Sequence, residues 1–351
     1  MTTSIRKSED LGQAQTSAQA SESSANETEP STPSSDNRQD PTGIRRILVP
    51  VDDSTEADRA GEWAQTFASA IHSPDQPVEV HRLRVEPRES TLADTVRITE
   101  EDLLADLHIY VEPEETAEPS SAADEASVIE RTIAHRNVAA GILAYAQEAG
   151  IGMIVMPAHR REGVRSSRLG QTAETVVRSA SCPVLTLHAD DDVPSGGRVL
   201  IPVDLSSATD EVLRTALSFA SDLSSDAVLL HVIERVTLPP AYGMVAPMLD
   251  TDDAKASARS ELERRVERLT QDLASMQPER YTPDVEIRVR TGHPATSILD
   301  VAGADPKPFA IALGTHGFRG LARILLGSVA EQVIRHAPCP VLTVRTRRGS
   351  Q

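Results

Sequence analysis

Near the C-terminus the chain reads Gly314-Thr-His-Gly317, then nine residues, then Gly327-Ser328. Glycines at this spacing let a backbone approach a ligand with no Cβ in the way. The second part of the motif opens a helix, where free N–H groups and the helix dipole favour phosphate. An apolar run, Phe309–Leu313, precedes it and reads as a buried strand. Strand, glycine turn and helix start form the context in which a phosphate cradle works. Two blander readings compete. The glycines fit a tight turn that needs φ > 0, and Ser328-Val-Ala-Glu331 fits a capping box that requires no ligand. Arg319 and Arg323 lie in the intervening loop, within reach of a phosphate or simply solvated.

The segment belongs to a unit that occurs twice. Pro157–Leu187 aligns with Gly314–Val344 without gaps, and 14 of the 31 positions are identical. Unrelated sequences would share roughly two. The starts match as well, Ile47–Ser54 with Val199–Ser206, each running through Pro-Val-Asp. The repeat is about the size of a whole domain, so the chain is a tandem pair.

Each half carries the elements needed to hold such a loop. Apolar runs read as five strands: Ile47–Val51, Val78–Val85, Val128–Ala134, Met153–Met156 and Pro183–Leu187 in the first half. Their counterparts are Val199–Val203, Ala227–Ile233, Val285–Thr291, Phe309–Leu313 and Pro340–Val344. Helical stretches lie between them, with Ser54 and Ser206 as candidate caps. The clearest runs Ser260–Met276, with Leu262, Val266, Leu269, Leu273 and Met276 on one face. Solidly apolar strands alternating with helices predict a parallel sheet covered on both sides.

Composition bounds the rest. Residues 1–43 hold almost no large apolar side chain and read as a disordered tail. No stretch has the apolar core of a signal peptide or the length of a membrane span. The net charge of −18 is uneven: residues 86–130 contribute −12 and the tail −4, which leaves −2 for the rest. No basic stripe marks a nucleic-acid partner. With 32 Arg against 3 Lys and an acidic excess, a GC-rich genome and a high-salt cytoplasm explain the bias equally well. Cys182 and Cys339 occupy equivalent positions and read as small buried residues at the mouth of the last strand, in keeping with a reducing cytoplasm.

The glycine motif, the Val-Pro-Val-Asp opening strand, Thr291-Gly-His-Pro294 and the closing Cys-Pro-Val-Leu-Thr strand together resemble the universal stress protein family in its tandem form. The resemblance implies an α/β chain of two tandem Rossmann-like domains. Each is a five-stranded parallel sheet of order 3-2-1-4-5 with helices on both faces. Domains at 44–189 and 198–346 follow, joined by a linker at 190–197 and trailed by residues 347–351. The fifth strands of the two halves are expected to pair, with a homodimer as a further option.

What the resemblance implies for function is ATP binding, with Mg²⁺ on the phosphates as an option, in a stress-response regulator. Asp204 would accept a hydrogen bond from adenine or ribose, or else cap the next helix. Pro202 and Val203 would line the adenine pocket, or else be plain core. Val232 would meet adenine through its backbone. Leu313, Gly314, Gly317, Gly327, Ser328 and Val329 would surround the triphosphate. The first half departs from the motif, with Pro157 for Gly314, Arg160 for Gly317 and Gln171 for Ser328, while Asp52 and Gly170 are kept. Arg160 or Arg161 fits an internal counter-charge or an exposed pair. His159 and His316 could serve as bases, but no nucleophile or carboxylate pair sits beside them, so a loop-shaping role is favoured. The reading therefore favours a binding protein. A slow ATPase, an adenylate-transferring enzyme and a nucleotide-free interaction module are the alternatives.

Overall fold

The structure is a computed structural model. It describes residues 44–73, 76–87, 126–158, 169–188, 191, 197–234, 251–276, 278–315 and 326–346. The expected tail, most of the acidic stretch and residues 347–351 lie outside them. The first half contains β1 (Arg46–Val51), α1 (Thr55–Ile71), β2 (Glu79–Pro87), β3 (Ser127–His135), α2 (Val138–Glu148), β4 (Met153–Pro157), α3 (Gln171–Ser179) and β5 (Val184–Leu187). The second contains β6 (Arg198–Val203), α4 (Thr209–Asp222), β7 (Asp226–Glu234), α5 (Thr251–Met276), β8 (Val285–Gly292), α6 (Pro294–Ala302), β9 (Ala310–Gly314), α7 (Ser328–His336) and β10 (Val341–Val344).

All ten strands join one sheet, in the order β3-β2-β1-β4-β5-β10-β9-β6-β7-β8. Pairing is parallel within each half. Successive residues of the inner strands point into different cores. Ile47 and Val49 of β1 face one core while Leu48 faces the other, and Val199, Ile201 and Leu200 of β6 repeat the arrangement. Helices α1, α4 and α5 cover the first core, and α2, α3, α6 and α7 the second. A strand with both faces buried must be apolar throughout, which is why these runs show no alternation.

The halves meet where β5 pairs antiparallel with β10, Leu185 opposite Leu342. Two buried threonines reinforce the seam symmetrically. Thr186 Oγ1 donates to Val341 O at 3.2 Å, and Thr343 Oγ1 donates to Val184 O at 3.0 Å. Hydroxyls buried without such acceptors would be costly. Beside the seam the aromatic rings form a chain. Trp63 stacks on Phe67 at 5.4 Å, Phe67 meets Phe219 of the other half at 5.5 Å, and Phe219 meets Phe309 at 6.2 Å.

Helix α5 begins at Thr251, well ahead of the expected Ser260. Its first turns carry Asp and Ser rather than an apolar stripe, so periodicity alone could not find them. Leu262, Leu269 and Leu273 are buried as expected, whereas Met276 is 57% exposed at the helix end. The cysteines are free. Cys339 is buried and Cys182 half-buried, and burial pushes both thiols up to about 12. Among the described residues no helix is long and apolar enough to cross a membrane.

Candidate functional site

The central strand β6 delivers Pro202 and Val203 to its carboxyl end, and Asp204 follows. The Asp204 carboxylate accepts from Ser206 N at 3.0 Å and so shapes the turn. Ser206 does not cap α4. Leu205 sits at φ 60, and the chain makes a further turn before the helix begins at Thr209. Ala208 takes the cap position and offers no side-chain hydrogen bond. In the first half Ser54 does cap α1, accepting from Ala57 N at 3.2 Å. The Asp204 turn is buttressed from α5. Arg265 donates to Asp210 at 3.0 Å and to Glu261 at 2.6 Å, and Arg268 pairs with the same aspartate.

Strand β9 delivers Leu313 and Gly314. Thr315 N then donates to Val344 O at 3.0 Å, and Thr315 O accepts from Gly327 N at 2.9 Å. Both ends of the glycine loop are thereby tied to the sheet. Gly314 does not need φ > 0: among the described residues the glycines with positive φ are Gly150, Gly197 and Gly292. Gly327 has φ −60 and ψ 142, a conformation open to any residue. The turn explanation therefore fails for Gly314 and does not apply to Gly327, while Gly317 lies outside the described residues. What glycine supplies at these places is the missing side chain.

The capping box also fails. Gly327 is the cap of α7, with no side-chain hydrogen bond, and Ser328 is the first helical residue. Glu331 N bonds to Gly327 O at 2.9 Å, so Glu331 sits one place too far along to reach back. Its carboxylate instead pairs with Arg335 at 2.5 Å. The Ser328 hydroxyl is left out of the helix's own bonding.

These elements surround a cavity of about 760 Å³, within the range of small-molecule sites. Pro202, Val203, Asp204 and Val232 are among its lining residues. Leu313, Gly314, Gly327, Ser328 and Val329 line it too. Gly317 lies outside the described residues, as do His159, Arg160, Arg161, His316, Arg319 and Arg323. Three helix starts border the same space: Ala208 and Thr209 of α4, His293 and Pro294 of α6, and Gly327 to Ala330 of α7. None of the three has a side-chain cap. Helix starts carry amides without intrahelical partners and dipoles that favour an anion, although at α4 Thr209 N already donates to Ser206 O at 3.2 Å and Ala208 N to the Ser206 hydroxyl at 3.3 Å.

The corresponding starts in the first half differ. Ser54 caps α1, and Asn137 caps α2 by accepting from Ala140 N at 3.0 Å. Only α3, opened by Gly170 and Gln171, lacks a side-chain cap. Asp52 is retained and accepts from Ser54 N at 3.0 Å.

Sequence reasoning missed several lining residues. His231 is nearly buried at the end of β7, and Nδ1 lies 2.9 Å from Val203 O. A histidine inside the run Leu229–Ile233 was the available signal. Thr209 and Thr315 are buried at the cavity wall, and Gln332 of α7 also lines it. Nothing in their sequence context marks them.

A model of the universal stress protein family matches residues 43–188 and 197–345. The chain belongs to that family, with the unit present twice. A universal stress protein of Mycolicibacterium smegmatis is 29% identical over 308 residues, covering 86% of this chain and 97% of that one. One from Mycobacterium tuberculosis is 27% identical over 305 residues, covering 85% and 96%. Among solved structures, a universal stress protein of Archaeoglobus fulgidus superposes with a TM-score of 0.53 at 20% identity, covering 87% of this chain and 99% of the other. At that identity the likeness speaks for the fold.

Proposed function

We propose that this universal stress protein binds ATP through its second domain, 198–346, and acts as a nucleotide-dependent stress-response regulator. The first domain, 44–189, serves as a degenerate partner held across the β5–β10 seam. The observation that carries this reading is the meeting of three uncapped helix starts at one cavity, beside glycines whose backbones do not require glycine. Phosphates would sit against the α7 start, Gly314, Gly327 and the Ser328 hydroxyl. The base and ribose would lie between Val203, Asp204 and Val232. Among the described residues no cluster of His, Cys, Asp or Glu could hold a metal ion, so Mg²⁺ would be carried by the phosphates. The site would work in the cytoplasm.

The test is mass spectrometry of small molecules released from the purified protein, followed by ATP titration of the wild type and of Gly314→Leu. Adenine nucleotide should be released, and Gly314→Leu should remain folded and lose binding, because the new side chain enters phosphate space. Undiminished affinity in the variant would remove the phosphates from this loop.

A further inference from the structure

Residues 204–209 are the counterparts of residues 52–57, yet the two segments take different shapes. In the first half α1 starts at Thr55, and Ser54 O accepts from Asp58 N at 3.3 Å as a helical acceptor. In the second half the helix starts two residues later in the equivalent numbering, at Thr209. Ser206 O accepts from Thr209 N at 3.2 Å instead, and Leu205 takes φ 60, whereas its counterpart Asp53 is not at a positive φ. A left-handed leucine is strained, and such strain persists only where its surroundings hold it. This open turn also forgoes the serine cap that the same segment makes in the first half, where Ser54 accepts from Ala57 N. Asp204, Ser206, Ala208 and Thr209 of the turn all belong to the cavity wall.

One side chain that is not part of that wall grips the turn. Arg265 of α5 donates from Nη1 to Ser206 O at 3.4 Å and to Asp210 Oδ1 at 3.0 Å, and from Nε to Glu261 at 2.6 Å. Asp210 lies in the first turn of α4. A single nitrogen thus ties the carbonyl of the open turn to the helix that follows. In the first half the counterpart Asp58 faces the sheet instead, pairing with Arg82 at 3.5 Å.

Resting on the ATP reading, we infer that Arg265 is a positioning residue that holds the 204–208 turn in its open form, and with it the cavity wall that receives the nucleotide. Without Arg265 the turn closes as in the first half, Ser206 caps α4 and the wall changes shape. The binding-competent share of the protein falls, and ATP weakens in proportion. Helix α5 thereby controls a site that Arg265 does not line.

The experiment titrates ATP into the full-length wild type and four variants at pH 8, below their melting temperatures. Arg265→Leu should weaken ATP about tenfold. Arg265→Lys should stay within about threefold of wild type, because an ammonium can replace Nη1 between Ser206 O and Asp210 while giving up Glu261. Asp210→Asn loosens the same nitrogen from the other side and should weaken ATP about threefold. Arg280→Ala breaks an ion pair with Asp222 at the far end of α4 and serves as the control for lost stability. Its affinity should stay within about twofold of wild type. Unchanged affinity in Arg265→Leu would overturn the inference and leave the ATP reading standing. So would an equal loss in Arg280→Ala, which would trace the effect to stability alone, or a folded Arg265→Lys no better than Arg265→Leu. Should Arg265→Leu fail to fold, full affinity in Asp210→Asn would overturn the inference by itself. Absence of ATP binding in the wild type would overturn the ATP reading and this inference together.

Discussion

The two domains share a sheet order, a seam and a pair of buried threonines, yet they treat their helix starts differently. In the first domain Ser54 and Asn137 close the starts of α1 and α2 with their own side chains. In the second, α4, α6 and α7 are all without side-chain caps, and all three border one cavity. A cap satisfies an amide that would otherwise be offered to a ligand. The first domain closes two of these starts with its own side chains, while the second closes none of the three in that way, and under the proposed function the α7 start is the one that serves the phosphates. The same contrast runs through the sheet face beside α5. There Leu229 and Ile287 share a core with Leu262 and Leu269. The equivalent pair in the first domain, Arg82 and Glu130, forms an ion pair at 3.0 Å.

What the domains share can be broken first. Phe67 and its equivalent Phe219 meet across the seam. Phe67→Ala should cost about 3–5 kcal/mol in chemical denaturation, since it empties a buried site and removes the ring contact between domains. A loss under about 1 kcal/mol would mean that the seam does not depend on this contact.

A second difference concerns an ion pair of the second domain whose aspartate has an alanine at the equivalent position of the first. Asp222, buried at the end of α4, accepts from Arg280 at 2.5 Å, and the equivalent place at the end of α1 holds Ala70. Burial raises the Asp222 carboxyl to about 7 despite Arg280. A folded pKa above the unfolded value means that the native state gains by holding the proton. This contribution is fully present below the ordinary aspartate range near 3.8 and is lost as pH rises through about 7. Arg280→Ala should therefore destabilise by about 3 kcal/mol at pH 8, where a buried carboxylate is left alone, and by clearly less at pH 5. Equal losses at both pH values would show that Asp222 does not titrate in this window.

The caps sharpen the contrast at the smallest scale. Ser54→Ala should cost about 1 kcal/mol of stability. Ser328→Ala should leave stability within about 0.5 kcal/mol of wild type, because this hydroxyl caps nothing. It should instead weaken ATP about tenfold through a lost bond to a charged group. Thermal melts without nucleotide separate the two. A Ser328→Ala melt as damaged as that of Ser54→Ala would restore the capping role.

Much of this was readable from sequence, because it rests on residue type. Strands buried on both faces must be apolar, so Ile47–Val51 and Val199–Val203 were visible as runs. The repeat made the second copy of each element a check on the first. The site was legible where glycine and serine stood at fixed intervals. What could not be read was geometry set by neighbours. Ser206 has the composition of a cap, but the turn at Leu205 carries it away from the helix start. Ser328 and Glu331 have capping-box spacing, but Gly327 takes the cap position and shifts the register by one. His231 and Thr209 become wall residues only when β7 and α4 are brought beside β6, a relation that periodicity within one element does not contain.

The central claim of the proposed function is that the second domain, whose glycine motif opens α7, holds one nucleotide and the first domain holds none. Calorimetric titration of the full-length protein with ATP measures this directly. The account predicts about one ATP per chain, with binding lost in Gly314→Leu and kept when Gln171 is changed to Ala in the first domain. A stoichiometry near two, or loss of binding in Gln171→Ala, would contradict it.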